Sequence, residues 1–166
     1  MPNALDQIDI RIIDCLQKDG RISNVDLADR VALSPTPCLR RVKRLEEQGI
    51  IEGYRAELSR QRLGFGVTAF VHVNIERHTP KATKTFLDSV NQIDEVVSCH
   101  ILTGSFDFLL EIVAESLEAY SNVMLERLGA LPGVSALQTS FALKSTKRSR
   151  ALPLEHLSAR IRNLRP

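Results

Sequence analysis

Ser34-Pro35-Thr36-Pro37-Cys38-Leu39-Arg40-Arg41-Val42-Lys43-Arg44-Leu45-Glu46 reads as a helix with a sharply marked start. Ser34 suits the N-cap and Pro35 the first helical position, where a missing N–H is no loss, and Gly49 supplies the stop. Each residue turns a helix by roughly 100°, so Pro37, Arg40, Arg41, Arg44 and Gln48 fall about 40–140° from Thr36, and Cys38, Leu39, Val42 and Leu45 about 180–300° from it. One side is apolar and the other basic. The expectation is a helix seated on its apolar stripe, presenting Ser34, Thr36, Pro37, Arg40, Arg41 and Arg44 outward. Short polar groups followed by arginines suit the major groove of double-stranded DNA, where arginine forks onto guanine or phosphate. A solvated basic face is the plainer alternative for such a helix taken alone.

Two shorter helical patterns precede it. Leu5, Ile8, Ile12, Cys15 and Leu16 share a face, and Lys18-Asp19-Gly20 is a base followed by a glycine stop. Ser23 caps a second pattern with Val25, Leu27, Ala28 and Val31, and Ala32-Leu33-Ser34 makes the turn into the third. This is helix-turn-helix order. Ile50-Ile51-Glu52-Gly53-Tyr54-Arg55-Ala56-Glu57-Leu58 reads as a short strand pair or wing.

The 166 residues hold 22 Lys and Arg against 20 Asp and Glu, a net +2 that excludes a wholesale polycation. An apolar share of 43% with 25% charged residues is that of a folded globular chain. The charge is segregated: residues 1–63 carry +1, 64–143 carry −5 and 144–166 carry +6. No run approaches the roughly 18 apolar residues that span a bilayer, and Met1–Asp6 lacks the pattern of a signal peptide, so a cytoplasmic location is expected. Cys15, Cys38 and Cys99 are too few and too far apart for a disulfide framework or a zinc module. They are read as buried thiols, and no cofactor or metal is expected.

After Gly64-Phe65-Gly66 the periodicity changes to two. Val67, Ala69, Val71, Val73 and Ile75 alternate with Thr68, Phe70, His72, Asn74 and Glu76 as a strand. Thr79-Pro80 opens a helix with Ala82, Phe86 and Val90. Strands near 95–102 and 106–114 flank Thr103-Gly104-Ser105, Ser116 caps a helix with Leu117, Tyr120, Met124 and Leu128, and a last strand lies near 134–144. The order βαββαβ is ferredoxin-like. Both sheet faces are apolar, with Phe70, Leu109 and Val113 on the second, and two helices cover only one, so a second subunit is expected on the other. Gly64-Phe65-Gly66 precedes a strand where a dinucleotide loop must follow one, and reads as a linker. Cys99 and His100 are strand neighbours on opposite faces, which prevents joint chelation.

Leu102-Thr103-Gly104-Ser105-Phe106-Asp107 is the candidate ligand loop. A glycine turn exposes N–H groups to a carboxylate, and an aspartate three residues on accepts from an ammonium group, which together match an amino-acid zwitterion. A glycine that only makes the turn is the other reading.

The segments Asp6-Gln7-Ile8-Asp9, Leu16–Asn24, Leu33–Glu46 and Gly49-Ile50-Ile51, with the later Gly104-x-x-Asp107, resemble the leucine-responsive regulatory protein / asparagine regulator family of prokaryotic transcription factors over residues 4–145. The resemblance implies a winged helix-turn-helix domain at 1–58, a linker at 59–66, a ferredoxin-like ligand-binding and oligomerisation domain at 67–145 and a basic tail at 146–166. It implies pseudo-palindromic DNA as partner, recognition helices about 34 Å apart, homodimers assembling to tetramers or octamers, and an amino-acid effector held by the loop 102–107 with Thr139 and Ser140. Siroheme decarboxylases resemble the same architecture, but His72, His78, His100 and His156 form no constellation with a nucleophile or metal spacing, and a regulator without enzymatic activity is expected. An architectural DNA binder lacking an effector is the third reading. The tail, with Lys144, Lys147, Arg148, Arg150, Arg160, Arg162 and Arg165, reads as a solvated segment, or alternatively as a contact to DNA phosphates or to an acidic body.

Overall fold

Asp6 opens the first helix as a capping box: its carboxylate accepts from the N–H groups of Ile8 and Asp9, and the Asp9 carboxylate accepts from the Asp6 N–H in return. The computed structural model describes residues 5–147 and 151–157. Within them run α1 (Gln7–Lys18), α2 (Asn24–Arg30), α3 (Pro35–Glu47), β1 (Val67–Ile75), α4 (Pro80–Val90), β2 (Val96–Ile101), β3 (Phe108–Ala114), α5 (Leu117–Asn122) and β4 (Val134–Phe141). The chain divides into two units, Met1–Glu57 with Lys147–Pro166, and Leu58–Thr146.

In the first unit, Ile12 of α1, Leu27, Ala28 and Val31 of the second helix and its cap, and Cys38, Val42 and Leu45 of α3 form one buried cluster. Ser23 caps α2 by accepting from Asp26 N–H. Ser34 stands at the N-cap of α3 without a side-chain bond. The N3 position is Pro37, which has no N–H to donate, so one of the two donors open to an N-cap side chain is missing. The Asn24 amide instead ties the two helix starts together by donating to the Pro35 carbonyl at 3.0 Å.

Three features of this unit differ from expectation. The C-cap of α1 is Asp19, whose φ is −143°, and Gly20 has no positive φ; a Cβ at Gly20 would make only an ordinary 3.5 Å contact with the Tyr54 ring, so nothing in the structure requires the glycine. Residues 50–58 form no strand. Tyr54 is drawn to the helices instead, its hydroxyl donating to Glu46 at 3.0 Å. The tail is not wholly solvated: Leu152 exchanges two hydrogen bonds with the Gln17 side-chain amide, N–H to Oε1 at 2.8 Å and Nε2 to carbonyl at 3.2 Å. Arg148, Ser149, Arg150, Arg160, Arg162 and Arg165 lie outside the described residues.

The second unit is a four-stranded antiparallel sheet in the order β2-β3-β1-β4, the ferredoxin-like arrangement. One face, from Ala69, Val71, Val73, Ile75, Phe108, Leu110 and Ile112, packs with Phe86 and Val90 of α4 and with Tyr120, Val123 and Leu128. Leu117 is exposed rather than packed, and α5 continues as a π-helical stretch, Val123–Leu128. Alternation turns Phe70, His72 and Asn74, with Leu109 and Glu111 of β3, His100 of β2, and Gln138 and Ser140 of β4, to the other face. Neither helix covers them. Phe106 stacks on His72 there with ring centres 4.6 Å apart.

Candidate functional sites

On α3 the exposed strip is Thr36, Leu39, Arg40, Lys43 and Glu47, with Ser34 and Pro35 at its start. Leu39, expected inside, is 43% exposed. Arg41 and Arg44, expected to face outward, are half-buried and turned to α1. Arg41 Nη1 stands 2.6 Å from Asp6 Oδ2 and 2.9 Å from Asp9 Oδ1, and Arg44 Nη2 stands 2.6 Å from Asp9 Oδ2. Pro37 is half-buried. The strip is therefore centred on Thr36 itself, roughly a quarter-turn from the arc expected. Two opposed carboxylates cause this, and Lys43 was the cation that helical geometry missed. Partial burial, which favours the neutral carboxyl, is outweighed at Asp6 by Arg41 and by the Asp9 and Ile8 N–H groups, and its pKa lies below the ordinary value. The Arg41 guanidinium is held the more firmly charged, chiefly by its hydrogen bond to Asp6.

The loop 102–107 spans more than the expected three-residue turn. Leu102 N–H donates to the Asp107 carbonyl at 2.8 Å and closes it, with Gly104 at its tip in a left-handed conformation, φ 121°. Thr103, Gly104 and Ser105 are exposed and Leu102, Phe106 and Asp107 half-buried. Asn74 clasps the loop, donating to the Ser105 carbonyl at 3.2 Å and accepting from Asp107 N–H at 3.1 Å. Asp107 Oδ2 accepts from Ile75 N–H at 2.9 Å, and Oδ1 lies 3.3 Å from His78 Nδ1. At the same end of the sheet, Ile75, Arg77, Thr79, Lys81 and Gly133 border a groove of about 290 Å³.

Thr139 and Ser140 do not join this loop within one chain. They pair with Val71 and Phe70, four and five residues from Ile75, or roughly 13–17 Å along the strand. Thr139 faces the helices, where its hydroxyl lies 2.6 Å from that of Tyr120, and Ser140 faces the uncovered side.

A helix-turn-helix unit with a cationic strip, joined to a βαββαβ unit with a loop of exposed donors and an acidic residue, defines a ligand-binding transcriptional regulator. Residues 5–52 match the model for winged helix-turn-helix DNA-binding domains and residues 68–152 that for the Lrp/AsnC ligand binding domain. The chain belongs to the Lrp/AsnC family. It is 42% identical over 151 residues to the leucine-responsive regulatory proteins of Klebsiella pneumoniae and Escherichia coli K12, covering 91% of this chain and 92% of each relative. A transcriptional regulator from Neisseria meningitidis solved as its L-Met complex is 45% identical with a TM-score of 0.88, covering 92% of this chain and 99% of that one. An AsnC family regulator from Agrobacterium tumefaciens is 31% identical with a TM-score of 0.86, at the same coverage.

Proposed function

We propose that the protein is a cytoplasmic, non-enzymatic regulator that binds pseudo-palindromic DNA as a homodimer or an assembly of dimers and answers to an amino acid. Asp107 carries the effector reading: its carboxylate braces a glycine-tipped loop and keeps one oxygen toward solvent and His78, where an ammonium group is accepted. The exposed N–H groups of the loop, with Arg77 and Lys81 bordering the neighbouring groove, receive the carboxylate. The L-Met complex of the Neisseria regulator supports an amino acid at this kind of domain. Leu102 and Phe106 shape the apolar side of the pocket, and Ser140, exposed on the open face and too far away in its own chain, completes it from a neighbouring subunit, whereas the Thr139 hydroxyl is engaged by Tyr120.

On the DNA side, Thr36 and Arg40 read base edges, and Ser34, Pro37 and Lys43 set the helix against the backbone. A second copy covers the open sheet face; Phe70 and Leu109, apolar side chains on a face that neither helix packs against, support this. The enzyme reading is not favoured, because His72 and His100 flank Leu109 on that face while His78 stands at the loop and His156 in the other unit.

Two measurements test the function. Arg40→Ala is expected to weaken binding to a duplex selected from a random pool by about 1–3 kcal/mol. A thermal-shift screen of the twenty amino acids is expected to show a ligand, which at 100 times its Kd adds about 2.7 kcal/mol. Undiminished duplex binding or a screen with no shift would count against the respective half.

A further inference from the structure

The α3 helix carries four cations, held in two different ways. Arg40 and Lys43 are exposed. Arg41 and Arg44 converge on Asp9, which is 1% exposed and whose two oxygens are both taken, Oδ1 by Arg41 at 2.9 Å, Oδ2 by Arg44 at 2.6 Å and by the Asp6 N–H at 3.0 Å. Asp6 holds Arg41 a second time, at 2.6 Å. Two acids and two bases make a neutral cluster across the α1–α3 contact. Either arginine can leave it for a phosphate only by uncovering a buried carboxylate, and such a charge is far costlier to strand than a surface pair is to break.

We propose that Asp6 and Asp9 are positioning residues for DNA recognition. By holding Arg41 and Arg44 they fix the roll of α3 and withhold half of its cations from the duplex, so that Thr36, Arg40 and Lys43 face it. Sequence-independent affinity rises with every phosphate neutralised, whereas base readout does not. An acidic clamp that retires two arginines therefore raises the ratio of specific to non-specific binding. The inference rests on the reading of α3 as the DNA-facing helix.

The test is fluorescence anisotropy of the full chain with two probes, a duplex selected from a random-sequence pool by the wild-type protein and poly(dI-dC), between roughly 50 and 200 mM salt. Asp9→Asn and Asp6→Asn are expected to bind poly(dI-dC) several-fold tighter, to steepen its log–log salt slope by about 0.9 for each arginine released, and to lower the specific-to-non-specific ratio. The charge-matched Asp29→Asn, on the exposed side of α2, is expected to leave slope and ratio near those of the wild type. Unchanged slopes and ratios in both clamp variants overturn the proposal, as does a parallel loss of affinity for both probes at constant slope. Asp6 is half-exposed, so Asp6→Asn decides the matter if Asp9→Asn does not fold. Wild-type protein showing no salt-sensitive duplex binding would overturn the reading of α3 together with the proposal.

Discussion

Asp107 Oδ2 accepts the backbone N–H of Ile75 at 2.9 Å, at the point where the β1–β4 register shifts. One carboxylate thus braces the end of a strand and shapes the loop proposed to hold a ligand. The two duties separate by substitution. Asp107→Asn keeps an oxygen for Ile75 but loses the charge, so effector-induced thermal stabilisation is expected to vanish with little loss of basal stability. Asp107→Ala strands the Ile75 N–H as well, and an additional loss of about 1–3 kcal/mol in urea unfolding is expected. Equal basal stability for the two variants would argue that the brace contributes nothing.

The Asp6 carboxyl is held below its ordinary 3.8, burial working against this and Arg41 and two backbone donors prevailing. A depressed carboxylate pKa contributes stability that is complete above the unfolded value and fades as pH falls through the folded one. Melting curves from pH 7 downward are expected to show the wild type losing its advantage over Asp6→Asn as the pH drops below about 4, with the two converging in stronger acid. A gap that widens in acid would reverse the sign.

Ala32 has a φ of 58°, the one positive φ of a non-glycine side chain among the described residues, in the turn between α2 and α3. An L-residue pays about 1–2 kcal/mol for that conformation, and part of it returns as backbone entropy when glycine takes its place. Ala32→Gly is expected to raise the unfolding free energy by about 0.5–1 kcal/mol. Destabilisation instead would mean that the Ala32 methyl contributes packing that outweighs the backbone relief.

The open sheet face puts Leu109 between His72 and His100. An aspartate at the centre of a buried contact leaves a charge without a partner, so Leu109→Asp is expected to convert a dimer or multiple of dimers to monomer in sedimentation velocity at micromolar concentration. A monomeric wild-type protein would remove the second copy from the proposal.

Much of this was legible because periodicity and punctuation agree. β1 alternates without a break, Thr79 and Ser116 cap the helices they precede, and the apolar members Cys38, Val42 and Leu45 of α3 are buried as their spacing requires. What was missed depends on a second element. A helical projection of α3 counts every arginine as solvent-facing; only α1 shows that two of them have carboxylates to meet. The signal available was Asp6-x-x-Asp9, two acids one turn apart with Asp9 close to the apolar face of its helix. Likewise, Pro37, which removes the N3 donor from the Ser34 cap, is visible in the sequence, whereas the bond of Tyr54 to Glu46 needed the third helix in place.

The paired bonds between Gln17 and Leu152 redraw the electrical map of the molecule. Leu152 is bonded to the first helix, so the chain leaves the helical unit for Leu58–Thr146 and returns to it afterwards. Grouped by unit along the sequence, 15 basic side chains stand against 11 acidic in the first and 7 against 9 in the second, a net +4 and a net −2. The net +2 of the chain is thus the sum of a basic helical unit and an acidic sheet unit, and a basic unit is the one that a polyanion attracts.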